Sequence, residues 1–120
     1  MRVGETARVV GVEVRAVPAY NIVNRRPDGK PFHPKGSGNG YIITFGDKRV
    51  YVAGDTENIP EMKGLKNIDI AFLPMNLPYT MTPEMVAEQV RNLRSLAQQF
   101  PIYGLKIVPV ACQSPVAQLL

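Results

Sequence analysis

Two β-rich runs, Tyr41 to Phe45 and Arg49 to Ala53, stand either side of Gly46-Asp47-Lys48, and the second drives straight into Gly54-Asp55-Thr56. The spacing predicts a hairpin. Its second strand then ends in a turn that leaves a carboxylate at the strand's end, which is where α/β enzymes place their chemistry. An aspartate there can also be a turn former or helix cap. Asp55 is therefore open between metal ligand, general base and the residue that closes the turn before Glu57.

The rest of the chain supplies further elements. From Arg8 to Val17 the residues Val10, Val12 and Val14 fall on one face with Glu13 and Arg15 opposite, the pattern of one strand with a buried side. Residues 24–39 hold Pro27, Asp28, Gly29, Pro31, Pro34, Gly36, Ser37 and Gly38, a loop with several forced turns. Long loops in compact domains tend to be functional. Ile68 to Leu73 reads as a buried strand closed by Pro74. Thr82-Pro83-Glu84 opens a helix with a capping hydroxyl, proline at the first position and an acid in the first turn. Val86, Val90, Leu93, Ala97 and Phe100 recur at helical spacing, so one helix face packs on a sheet. Pro101 ends the helix, and Leu105 to Ala111 reads as a last strand whose Pro109 favours an edge. The expected fold is an α/β (α+β) layer, mainly sheet with one long helix packed on it.

At 120 residues, 45% of them hydrophobic, the chain is expected to be one domain with a modest core. No apolar run approaches the ~20 residues of a membrane helix, and Met1-Arg2-Val3-Gly4-Glu5 lacks the apolar segment of a signal peptide. The expected compartment is cytoplasmic. A single cysteine, Cys112, forms no internal disulfide and no cysteine zinc site. The net charge of +4 is spread along the chain, which argues for a solvated surface and against a nucleic-acid partner. Ser37 in Gly36-Ser37-Gly38-Asn39-Gly40 lacks a following Lys-Ser/Thr, so the phosphate-loop reading fails.

His33 is the only histidine. Imidazole is the commonest ligand of a catalytic transition metal, yet a histidine between Phe32 and Pro34 in a loop also suits a plain surface position. Catalytic zinc sites need three protein ligands, and one histidine argues against a complete histidine site in this chain. Tyr20 and Tyr79 sit at strand-to-loop junctions, where a phenol either donates to an oxyanion or plugs the core edge.

Val17-Pro18-Ala19-Tyr20-Asn21, Phe32-His33-Pro34-Lys35-Gly36, Gly40-Tyr41-Ile42-Ile43, Tyr51-Val52-Ala53-Gly54-Asp55-Thr56, Ile59-Pro60-Glu61-Met62 and Tyr79-Thr80-Met81-Thr82-Pro83-Glu84 occur in that order. This ordered run, over about residues 3–94, resembles the metallo-β-lactamase superfamily, in particular its bacterial metal-dependent hydrolases with an Ala-Tyr-Asn motif. The resemblance implies the second half of an αββα sandwich. It places Asp55 as the aspartate bridging two metals and as the catalytic position, with His33 as a second ligand. Tyr20, Asn21 and Tyr79 are carried over as substrate-binding residues, and zinc or manganese as the metal, with a small-molecule substrate.

The departures are equally specific. The superfamily's HxHxDH motif has no counterpart before Val3, and Ala111, followed by Cys112, stands where a last histidine is expected. From about Ser95 to residue 120 the resemblance ends, as a reading-frame change would produce. The reading is a hydrolase-like domain with an incomplete metal site, possession of a bound metal being open. The alternatives are a non-catalytic half-domain that dimerises through its exposed sheet face, and a nucleic-acid-binding module.

Overall fold

The computed structural model describes residues 1–97 and 106–110. The expectations placed on Phe100, Pro101, Ala111 and Cys112 lie outside them. The stretch from Arg8 to Val17 is not one strand. β1 (Thr6–Val9) turns at Val10 and Gly11 and returns as β2 (Val12–Ala19), with Val9 opposite Val12. Both turn residues take positive φ, 51° and 77°, the handedness that continues the twist of a two-residue hairpin. Val10 disguises the turn because a β-branched residue is the wrong chemistry for it. It is 98% exposed rather than on a buried face.

The central hairpin forms as its spacing predicts. β3 (Gly38–Phe45) pairs antiparallel with β4 (Lys48–Val52), Phe45 facing Lys48 across Gly46-Asp47. A short 3₁₀ helix, Pro60–Gly64, then leads to β5 (Ile70–Pro74), which lies parallel to β4. The helix α1 (Pro83–Ala97) follows, capped by Thr82, whose Oγ1 accepts from the Met85 N–H at 3.1 Å. β6 (Lys106–Val110) returns parallel to β5 at the edge of the sheet, the position favoured for Pro109. The six strands stand in chain order.

One side of the sheet carries the core. Ile42, Tyr51 and Ala71 are cross-strand partners, and they pack with Ile59, Met62, Leu73, Met81 and Leu93 in one buried cluster. Met85, Val86 and Val90 add the partly buried edge of α1, and Asn92 Nδ2 donates to the Met62 carbonyl, tying α1 to the 3₁₀ helix. Full burial of Leu93, 1% exposed, stabilises this docking by roughly 2 kcal/mol.

The opposite side has no helix among the described residues. Val14, Ile43, Val50 and Ile70 are successive partners across four strands, and Val52, Phe72 and Val108 form a second row two residues on. These side chains are half-buried, and Val108 is exposed. One helix layer on one sheet with an apolar far side is the half-sandwich expected from the sequence.

Candidate metal centre

Asp55 follows β4 at a turn that only glycine can make. Gly54 has φ +73°, and a Cβ there would stand 2.7 Å from the Asn39 carbonyl oxygen. The close approach pins the end of β4 to the start of β3 and turns Asp55 out to solvent, its side chain 71% exposed. Beside it lies a hollow of about 170 Å³ lined by Val52, Gly54, Phe72, Pro74, Asn76 and Thr80. Val52 and Phe72 belong to the bare side of the sheet, so the hollow opens on that side. A larger hollow of about 380 Å³ lies between β2, β3, β4 and the 3₁₀ helix, but neither Asp55 nor His33 lines it.

His33 reaches this end of the sheet from the loop between β2 and β3. Its Nε2 lies 3.7 Å from Asp55 Oδ2. Its other ring nitrogen, Nδ1, is 2.7 Å from Asn21 Oδ1, and the same oxygen accepts the His33 backbone N–H at 2.8 Å. The amide orientation is fixed on both sides, because Asn21 Nδ2 faces two groups that can only accept, Glu57 Oε1 at 2.9 Å and the Tyr79 carbonyl at 2.8 Å. Asn21 Oδ1 can only accept in turn, so the Nδ1 proton points to it, and in the neutral ring the lone pair falls on Nε2, toward Asp55.

Asn21 is itself held by Glu57. That carboxylate is 1% exposed and accepts the backbone N–H groups of Ile22, Val23 and Asn24 as well as the Asn21 amide. The Glu57 N–H donates to the Tyr20 carbonyl, and Thr56 Oγ1 accepts the Tyr20 N–H. The turn after β4 is thus laced to the loop after β2. Nothing in the sequence distinguishes Glu57, since its partners are main-chain groups and one amide 36 residues away.

Tyr20 and Tyr79 take different positions. The Tyr20 hydroxyl donates to both carboxylate oxygens of Glu61, which also accepts Lys35 Nζ at 3.0 Å, and Lys35 sits over the Tyr20 ring. Burial and then Glu61 raise the Tyr20 phenol above its ordinary range. Burial pushes the Glu61 carboxyl up, but bonds from Lys35, its own backbone and Tyr20, with the charge of Lys35, outweigh it and hold the group below its usual value. Tyr79 is 43% exposed, its ring meeting Phe32 edge to face at 5.0 Å. Asn21, expected at the substrate, is 5% exposed with its amide fully committed.

The donor chemistry suits a divalent cation. A free imidazole nitrogen and an exposed carboxylate 3.7 Å apart match two ligands sharing one ion, which at metal–ligand distances of about 2.1 Å span roughly 3.4 Å across a tetrahedral angle. Among the described residues no third His, Cys, Asp or Glu joins them. Among the described residues the site thus offers two candidate donors, fewer than the three or four that a metal centre uses.

A strand-end aspartate beside an imidazole held by Asn21 thus lies on the open end of a helix-backed α+β sheet. The profile of the β-lactamase superfamily domain matches residues 1–103, and the chain belongs to that family. It is 36% identical over 96 residues to a metal-dependent hydrolase of Deinococcus radiodurans, covering 78% of this chain and 40% of the relative. A crystal structure from Parabacteroides distasonis, designated a metal-dependent hydrolase, superposes with a TM-score of 0.75 at 41% identity over 99% of this chain and 50% of its own. A metallo hydrolase of the archaeon Ignicoccus hospitalis follows with a TM-score of 0.57 and 26% identity, over 78% of this chain and 40% of its own. The chain thus spans about 40% of the length of the Deinococcus relative. No helix among the described residues is long and apolar enough to cross a membrane.

Proposed function

We propose that this chain is the C-terminal half of a metal-dependent hydrolase, in which Asp55 and His33 supply two ligands of a zinc or manganese centre. The remaining ligands come from whatever covers the bare side of the sheet. The observation that carries this reading is the Asn21-fixed ring of His33, whose free Nε2 stands 3.7 Å from Asp55 Oδ2. When bound, the cation supplies Lewis acidity for hydrolysis of an ester, lactone, amide or phosphodiester. Asp55 orients the centre, Asn21 holds the imidazole, and Tyr79 with Phe32 forms the aromatic rim that a small-molecule substrate meets. Tyr20, bonded to Glu61, stiffens the loop that carries His33. The lone Cys112 fits a reducing, cytoplasmic setting.

A second reading concerns the partner. The hollow beside Asp55 is lined by Val52 and Phe72 of the bare side, so a layer seated on that side reaches the metal end. Relatives twice as long carry sequence enough for such a layer, and for this chain alone a second copy is the simplest supplier.

Metal content after purification without chelator, read together with mass by light scattering, tests both readings. Stoichiometric zinc or manganese that is lost in Asp55→Ala supports the metal centre, and a metal-free protein that takes up neither ion overturns it. A single-chain mass at micromolar concentration overturns the dimer.

A further inference from the structure

The turn after β4 presents Asp55 directly, and two residues later it buries Glu57. The Glu57 carboxylate meets four N–H···O contacts of 2.8–3.1 Å from the backbone of Ile22, Val23 and Asn24, and one of 2.9 Å from Asn21 Nδ2. None of these donors is a cationic side chain. A buried carboxylate is costly to desolvate, and it is stable here because main-chain dipoles converge on it as they do in an anion nest. A turn needs no such group to close. What the carboxylate adds is direction, since the Asn21 amide is trapped between Glu57, the Tyr79 carbonyl and His33.

We propose that Glu57 is a positioning residue for the metal centre, acting through Asn21 to keep His33 in the Nδ1–H tautomer with Nε2 aimed at Asp55. The inference rests on the reading of His33 and Asp55 as ligands. In this arrangement a single turn sets both donors: Asp55 through the Gly54 backbone, and His33 through the relay Glu57 to Asn21 to Nδ1. Partners of this kind behind a ligating imidazole are worth about 10–100-fold in metal affinity.

The chain has one histidine, so its ring nitrogens are read by ¹⁵N NMR without assignment. In the metal-free protein the neutral ring is expected to carry its proton on Nδ1 and not on Nε2. In Glu57→Gln, and in Asn21→Ala, which leaves Glu57 its backbone donors, the two tautomers are expected to mix and the zinc Kd to rise about 10-fold or more. A neutral wild-type ring with its proton on Nε2 overturns the inference without recourse to any variant. So does a folded Glu57→Gln protein with the wild-type ring signature and zinc Kd. Failure of the metal reading looks different: His33→Ala then binds zinc as wild type does, while the Nδ1–H signature of the unmutated ring persists.

Discussion

Asn21 Oδ1 accepts two hydrogen bonds from one residue, the backbone N–H of His33 at 2.8 Å and its ring Nδ1–H at 2.7 Å. The amide nitrogen of Asn21 is as fully used, on Glu57 and the Tyr79 carbonyl. Asn21→Asp keeps the shape and removes both donors, leaving a new carboxylate facing Glu57. Buried acceptors left unpaired cost about 1–3 kcal/mol each, and more when charged. The variant is expected to lose about 3 kcal/mol, read as a lowered urea midpoint at neutral pH. A midpoint equal to wild type would show that the amide bonds are not holding the loop.

Gly54→Ala tests the turn that presents Asp55. The substitution meets a positive φ of 73° and an Asn39 carbonyl oxygen 2.7 Å from the new Cβ, and neither can relax without parting β3 from β4. Strain of this kind costs about 1–3 kcal/mol. A melting temperature lowered by about 5 °C or more is expected, in line with the size of the domain. An unchanged melting curve refutes the account of the turn.

Val10 offers the reverse experiment. It is a β-branched residue at φ 51°, 98% exposed, in a two-residue hairpin that prefers Asn-Gly. Val10→Asn relieves strain and removes no buried surface, so stability is expected to rise by about 1 kcal/mol. Equal or lower stability in thermal melts would place the strain elsewhere.

These residues show which parts of the fold could be read in advance. The β3–β4 hairpin, the Thr82 cap and the edge place of β6 each follow from local chemistry, and each lies where the sequence puts it. The β1–β2 hairpin was hidden because Val10 keeps the strand's alternation while adopting a turn conformation. The likeness in motif order pointed to Asp55 and His33 as partners, but their 3.7 Å separation depends on contacts between residues far apart in the chain. Glu57 escaped because all its partners but Asn21 are backbone N–H groups, which every sequence has, and Asn21 lies 36 residues away. The Tyr20, Lys35 and Glu61 cluster escaped because Glu61 lies 41 residues from Tyr20 and meets it only when the loop folds back.

That cluster carries an acid dependence. The Glu61 carboxyl is held below its ordinary value of 4.5 by Lys35, its own backbone and Tyr20, against the opposing effect of burial. A carboxyl depressed in the folded state contributes stability that is complete above the unfolded pKa and is lost as pH falls through the folded one. Stability is therefore expected to decline as pH drops below about 4.5, with a shallower decline in Glu61→Gln. Parallel stability–pH curves for the two proteins would remove Glu61 from the acid response.

The bare side of the sheet gives the last expectation. Ile43 stands in the centre of the row Val14, Ile43, Val50 and Ile70, on the side opposite the buried cluster and half-exposed in the single chain. A lysine there can reach water in the monomer by extending over its neighbours, so the fold tolerates it. Against a second apolar layer the same ammonium is buried without a partner, at a cost of several kcal/mol. Ile43→Lys is expected to fold, with far-ultraviolet circular dichroism like that of wild type, and to shift the mass in light scattering from two chains to one. Retention of a two-chain mass would mean that the contact lies on another surface, and the end of the sheet that carries Asp55 would then stay open to solvent in the dimer.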